Sequence, residues 1–313
     1  MILSVSRRTD IPSFYTDWFF NRLEDGYVYV RNPMSIHQIS KVELNPSVID
    51  GIVFWTKNPS PMMDRLEELD KKGYMYYFQF TVTPYGEEIE KKLPSKKDVI
   101  IPTFKKLSKI IGKERVIWRY DPILLTEKYS IECHKNSFEY LAKALSGYTN
   151  KCVISFLDLY KKIQSNMKPL NLLPLGIDEM NNLAKSLADI AKKYEITLES
   201  CSEKIDLDKY GIKHGHCIDA HLFEEILGCK LNIDKDKNQR LECGCASSID
   251  IGLYNTCRNH CIYCYANFSQ NVVDRNSFAH NPDSPLISGN VMPDDNITER
   301  KVKSLKDDQI SMF

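Results

Sequence analysis

Short β-branched or aromatic runs alternate with amphipathic segments through most of this chain, and that alternation constrains its fold more than any other feature. The strand candidates are Ile2–Ser6, Tyr27–Val30, Gly51–Trp55, Met75–Thr83, Arg115–Tyr120, Lys151–Leu157, Ile196–Ser200 and Ser248–Leu253. Between several of them lie Met62–Lys72, Thr103–Ile111, Asn136–Leu145 and Asp178–Lys193, whose apolar residues recur at helical spacing. Strands alternating with helices imply an α/β protein with a parallel sheet. About eight such units predict a closed or nearly closed βα barrel of the TIM type, which commonly reaches this chain's 313 residues as one domain. The expected division is a barrel over residues 1–267, with cysteine-bearing loops at 201–264, followed by an irregular extension and tail over 268–313. After Ala266, Asn, Asp, Ser and Pro dominate up to residue 296, where no periodic pattern is visible.

In a parallel βα barrel, functional groups collect at the carboxyl ends of the strands. Here those positions carry Arg7, Arg8, Thr9 and Asp10, then Thr56, Lys57 and Asn58, then Arg119 and Asp121. Asp158 and Tyr160 follow the next strand, and Glu199, Cys201 and Glu203 the one after. Arg7, Arg8, Lys57 and Arg119 are suited to an anionic substrate or a carboxylate. Asp121, Asp158 and Glu203 are suited to orienting hydroxyls or amines. The opposing expectation is that pairs such as Arg119 and Asp121 only satisfy each other at the rim. Tyr76, Tyr77, Phe78 and Phe80 read as sheet and core rather than as a base-stacking platform.

Lysine and arginine balance aspartate and glutamate at 42 each, so a nucleic acid or membrane partner needs a local patch. No apolar run approaches a membrane span and no signal peptide is evident, which predicts a cytoplasmic protein. That compartment keeps thiols reduced, so ten cysteines call for an explanation other than disulfides. None precedes Cys133, and they crowd between Cys201 and Cys264. Cys257, Cys261 and Cys264 form C-x3-C-x2-C directly after the last strand candidate. Three soft thiolates on a compact loop suit a four-iron, four-sulfide (4Fe-4S) cluster. One iron then lacks a protein thiolate, and that open position is what S-adenosylmethionine chelation requires. Cys201, Cys217, Cys243 and Cys245 approach the same end of the strands and could complete a second 4Fe-4S cluster. The alternatives are ordinary buried thiols at Cys201 and Cys217, or a tetrahedral zinc site made by Cys243 and Cys245 with Cys261 and Cys264, with His214, His216, His260 and His280 also near in sequence. Cys133, Cys152 and Cys229 lack ligand-like spacing and read as packing residues.

The spacing of the triad, with the aromatic Tyr263 before its third cysteine, resembles the radical S-adenosylmethionine superfamily. In that superfamily the triad follows the first strand, so the resemblance implies a permuted order with the cluster loop after the last strand. The segments SRRTDIP, VFWTKNP, FQFTVTPYG, VIWRYDPIL, ISFLDLY and CGCASSIDIGLYNTCRNHCIYCYAN resemble a bacterial family of uncharacterised barrel proteins. The superfamily likeness implies generation of a 5′-deoxyadenosyl radical for hydrogen abstraction, fed by a reductant such as flavodoxin or ferredoxin. Tyr263 and Asn267 are the positions it suggests for cofactor contact. A glycine-rich segment for the methionyl amino group is missing. The competing class is a non-enzymatic iron–sulfur or zinc protein in electron transfer or scaffolding. The chain ends QISMF, Gln309 to Phe313, which resembles the pentapeptide by which bacterial polymerases and repair proteins bind the sliding clamp. That ending suggests a nucleobase in DNA as substrate.

Overall fold

The structure, a computed structural model, describes residues 1–240 and 242–307; Gln309–Phe313 lie outside the described residues. Among the described residues, eleven strands form two sheets. The strands are β1 (Ile2–Val5), β2 (Tyr27–Asn32), β3 (Ser35–Glu43), β4 (Gly51–Thr56), β5 (Tyr76–Thr81) and β6 (Val116–Ile123). They continue with β7 (Lys151–Phe156), β8 (Thr197–Ser200), β9 (Lys213–His214), β10 (Ile249–Asp250) and β11 (Asn296–Glu299).

The large sheet has the order β10-β1-β4-β5-β6-β7-β8-β9, and every neighbouring pair in it is parallel. This corrects the expected barrel. The sheet is open, with β10 and β9 as separate edges that pair with one neighbour each. Both edge strands are two residues long, too short to offer a continuous ladder to each other. The count of eight strands survives only by exchange of members. Tyr27–Val30 belongs instead to a three-stranded sheet, β11-β3-β2, in which β2 and β3 are antiparallel. The strand Lys213–His214, which carries no apolar run, takes its place in the large sheet.

Alternation along the parallel strands buries both faces of the sheet, as parallel sheets require. Phe54, Tyr76, Phe78, Trp118 and Ile154 enter the main core, beneath the helices Thr16–Asp25, Ile101–Ile111, Ile131–Leu145 and Ile177–Lys193. Their neighbours Val53, Tyr77, Ile117 and Val153 face the other way, into a second cluster with Ile218 and Phe223. Phe223 belongs to the helix Ala220–Leu227, capped by Asp219. A side chain on Gly51 would meet the Phe223 ring at 2.1 Å, so glycine is what lets that helix close on β4.

The stretch after Ala266 is less irregular than its composition suggests. It carries the helix Gln270–Phe278 and β11, which adds to β3 in parallel. Trp18 donates its indole N–H to the Ser284 carbonyl at 2.9 Å, and buried Asp50 accepts from the Leu305 amide at 2.8 Å. No helix among the described residues is long and apolar enough to cross a membrane.

Candidate functional site

The loop that follows β10 is built onto the segment that follows β1. Asp250 accepts from Ser4 Oγ at 2.9 Å, Ser6 Oγ at 2.7 Å and the Arg7 amide at 2.8 Å. Two residues later, a side chain on Gly252 would lie 2.0 Å from Ser6 Oγ, so only glycine allows this approach. Thr9 Oγ1 donates to the Leu253 carbonyl at 2.9 Å, and Tyr15 to the Thr256 carbonyl at 2.6 Å. Buried Asp10 accepts from the Asn259 amide group and the Lys57 backbone, both at 2.8 Å. Burial pushes the Asp10 carboxyl up despite these donors.

A third carboxylate holds the far side of the loop. Glu90 is fully buried and receives Lys57 Nζ at 2.6 Å, Thr83 Oγ1 at 2.9 Å and the Tyr263 hydroxyl. Lys96 Nζ lies 2.6 Å from its other oxygen. Although burial opposes ionisation, the two ammonium groups hold Glu90 down to about 2. The Ile262 amide donates to the Ile89 carbonyl at 3.0 Å. Nothing in the sequence marks Glu90 or Asp250 out from other acidic residues; each is recognised only by what it touches.

These anchors place Cys257, Cys261 and Cys264 on the wall of one cavity of about 420 Å³ at the carboxyl ends of the strands. Burial pushes the Cys257 thiol up to about 12 and raises those of Cys261 and Cys264. As bare thiols they resist ionisation, whereas a bound cation would favour thiolates. Cys201, Cys217, Cys243 and Cys245 line the same cavity. Cys201 and Cys217 approach within 3.2 Å, sulfur to sulfur, and Arg119 Nη1 donates to Cys217 Sγ at 2.7 Å. A hydrogen bond from Cys245 draws the Cys243 thiol down to about 6. All ten cysteines are free of disulfides. Cys152 lies in the main core, while Cys133 and Cys229 are half-buried and away from the cavity wall.

The strand-end residues divide into two kinds. Arg7, Arg8, Lys57, Arg119, Asp121 and Asp158 all line the cavity. Glu203 stands behind that wall, accepting from the Phe156 amide at 2.8 Å, and burial pushes its carboxyl up to about 7. Several of these groups already hold partners within the chain. Arg7 lies 3.6 Å from Asp236 and 3.9 Å from Asp250. Arg119 pairs with Asp121, which also receives Ser155 Oγ. Asp158 is exposed and pairs with Arg240. Tyr263 spends its hydroxyl on Glu90. Asn267 donates to the Cys257 carbonyl, while its own Oδ1 is buried without a hydrogen-bond partner.

Zinc fits this geometry poorly. Thiolates on one tetrahedral zinc, at Zn–S of about 2.3 Å, must crowd within roughly 4 Å of one another. Among the described residues, the only group of three metal-binding side chains with ligand atoms all within 4.8 Å is His37, Asp294 and Asp295. That surface group is already occupied by Arg31, which pairs with Asp295 at 2.6 Å. Among the described residues, no three of the cavity thiols have sulfurs that all lie within 4.8 Å of one another. The unpaired Asn267 oxygen beside them is an acceptor in want of a donor.

Fold and site together define a parallel α/β protein with a cysteine-lined cavity at its strand ends. The family model described as a domain of unknown function (DUF1848) matches residues 2–266, and the chain belongs to that family. No curated protein shows a significant match. Among solved structures, a protein from Bacteroides thetaiotaomicron VPI-5482 described as an alpha-L-fucosidase has a TM-score of 0.25 at 13% identity. The likeness covers 51% of this chain and 66% of that one. The Xanthomonas citri FimX EAL domain, solved in complex with c-diGMP, has a TM-score of 0.23 at 10% identity, covering 64% and 90%. Scores this low carry no inference about fold or function.

Proposed function

We propose that the chain is a radical S-adenosylmethionine enzyme in which Cys257, Cys261 and Cys264 hold a 4Fe-4S cluster. One observation carries this reading: the triad shares a single strand-end cavity with four further cysteines and a set of cationic side chains. The cluster would supply one electron, drawn from flavodoxin or ferredoxin, to cleave S-adenosylmethionine into methionine and a 5′-deoxyadenosyl radical that takes hydrogen from the substrate. Cys201, Cys217, Cys243 and Cys245 would hold a second 4Fe-4S cluster, with Arg119 donating a hydrogen bond to one of its sulfurs. Asn267 Oδ1, buried without a partner, would accept from the cofactor's ammonium group. Arg7 and Arg8 offer guanidinium donors to its carboxylate or to an anionic substrate. Lys57 serves the loop through Glu90, so its part is to position the triad. A cytoplasmic setting, which keeps thiols reduced, belongs to this reading. A nucleobase in DNA as substrate, and a sliding clamp bound through Gln309–Phe313, belong to the same reading.

The test is anaerobic reconstitution followed by iron analysis and a search for 5′-deoxyadenosine after addition of dithionite and S-adenosylmethionine. Release of 5′-deoxyadenosine that each triad Cys→Ala variant abolishes is the expected result. An intact cluster without that product indicates an electron-transfer or scaffolding protein. Stoichiometric zinc with no uptake of iron overturns both.

A further inference from the structure

The first aromatic run of the sequence is unavailable for recognition, because Tyr76, Tyr77, Phe78 and Phe80 are all fully buried. A second aromatic group stands in the open beside the triad. Tyr160, Tyr265 and Phe268 are 40%, 38% and 38% exposed. Tyr160 and Tyr265 also line the cavity, so the group forms part of its rim. Their ring centroids lie 5.8 Å apart, and half-buried Tyr254 neighbours Phe268 at 6.4 Å.

Two cations sit among these rings. Lys162 Nζ lies 4.7 Å from the Tyr254 ring centre, 5.2 Å from Phe268 and 5.8 Å from Tyr265. The Arg8 guanidinium lies 5.1 Å from the Tyr254 ring centre, and among the described residues its one hydrogen bond is a 3.5 Å contact with the Gly252 carbonyl. Most lysines and arginines of the large sheet's carboxyl end face a carboxylate, as Lys57 and Arg119 do. Among the described ion pairs, neither Lys162 nor Arg8 does. The nearby acid, Asp158, is neutralised by Arg240. Exposed rings interleaved with uncommitted cations supply two complementary surfaces: π-faces for bases and positive charge for phosphates.

We propose that the rim formed by Arg8, Tyr160, Lys162, Tyr254, Tyr265 and Phe268 binds a single strand of nucleic acid. Bases stack on the exposed rings, and phosphates draw Lys162 and Arg8 off the ring faces. Unpaired bases are required, because a duplex hides their faces in its own stack. This is the local patch that a chain of zero net charge needs for such a partner. Its purpose, delivering a base to the cavity, rests on the radical reading; the binding itself does not.

Fluorescence anisotropy with the full-length protein and a short labelled oligothymidylate tests the assignment. Micromolar binding is expected, weakening roughly sevenfold between about 50 and 200 mM salt if two phosphates are contacted. Lys162→Glu should weaken binding beyond that salt effect, and Tyr265→Ala about fivefold or more, the loss of one stacked base. Lys192→Glu, on the helix Ile177–Lys193, should bind as the wild type does. Equal affinity for a blunt duplex overturns the proposal, as do rim variants that bind unchanged. A rim that ignores the oligonucleotide yet binds an acidic flavodoxin in a Lys162-dependent way overturns it in favour of the reductant. The same titration on Cys261→Ala separates the two readings. Strand binding without any S-adenosylmethionine cleavage by the wild type defeats the radical reading alone, and cleavage without strand binding defeats this one alone.

Discussion

The two cysteine groups share a cavity but are made in opposite ways. Cys257, Cys261 and Cys264 lie within eight consecutive residues, on a loop gripped by Asp10, Glu90 and Asp250. Cys201, Cys217, Cys243 and Cys245 arrive from three separate segments, the ends of β8 and β9 and the turn before β10. The first group has its thiols held apart by surrounding structure. In the second, sulfurs touch one another, as at Cys201 and Cys217. A loop held by buried Asp10 and Glu90 and by half-buried Asp250 would be preformed for a ligand, whereas a contact chain of thiols from three segments would depend on one for its spacing. The triad should therefore tolerate an empty site, and the four-cysteine set should loosen without one.

The widest separation is expected from the cysteines themselves. Cys261→Ala should remove one complement of roughly four irons and all cofactor cleavage. Cys217→Ala should remove the other complement and leave the triad's absorbance in place. Iron and sulfide analysis of the two variants checks this, and losing all iron in both would end the distinction. Next in size is Glu90→Ala, which leaves half-buried Lys57 and Lys96 without the buried counter-charge they share. Removing one partner of a buried pair costs roughly 3–5 kcal/mol. Chemical denaturation should show that loss, with the triad's iron released first. Arg119→Ala acts on the opposite group. It removes a charge-assisted bond to Cys217, worth about 1.5–3 kcal/mol, while Asp121 keeps Ser155. The second iron complement should fall while the triad's persists.

Legibility follows the same divide. The triad was readable as a group because its cysteines are close in sequence, and the cavity-lining residues were readable because strand ends converge. The anchors Glu90 and Asp250 were not, since a single acid among 42 acidic residues carries no periodicity or spacing. The open sheet was hidden for a related reason. Edge strands of two residues leave no pattern, and the apolar content of Tyr27–Val30 does not say which sheet it joins. The segment after Ala266 buries only scattered apolar residues, Val273, Leu286 and Ile287, and is otherwise held by polar and ring contacts. His280 packs edge-on against Tyr15 at 4.7 Å, and Arg22 donates to the Asp283 carbonyl at 2.9 Å.

A smaller effect should appear with pH on the triad's side. His134 is buried, with Nε2 2.9 Å from the Leu124 carbonyl and Nδ1 2.9 Å from the Tyr120 hydroxyl. Burial keeps the ring neutral, so with Nε2 donating to the carbonyl, Nδ1 accepts from Tyr120. Burial lowers its pKa below the ordinary 6.5. The unfolded chain then binds a proton that the folded one refuses. Stability is complete above about pH 6.5 and falls below it by at most about 1.4 kcal/mol per pH unit. His134→Gln should lose stability at neutral pH and flatten that slope. An unchanged slope would assign the acid sensitivity to other groups.

The smallest effect is expected at Asp158, one of the residues that the sequence places at the cavity mouth. Asp158 is about half exposed, and its ion-pair partner is Arg240. Arg240 belongs to the turn that carries Cys243, so the pair ties the four-cysteine segment to the end of β7. An exposed pair contributes from nothing to about 1 kcal/mol and is screened by salt. Asp158→Asn should therefore leave thermal unfolding nearly unchanged, with whatever difference exists disappearing at high salt. Its informative readout is the metal. If the pair acts only as a latch, Asp158→Asn should release the second iron complement slightly faster to a chelator and leave cofactor cleavage at the triad untouched. If cleavage or substrate turnover falls while chelation is unchanged, Asp158 acts on a bound molecule in the cavity, and the latch is not its purpose.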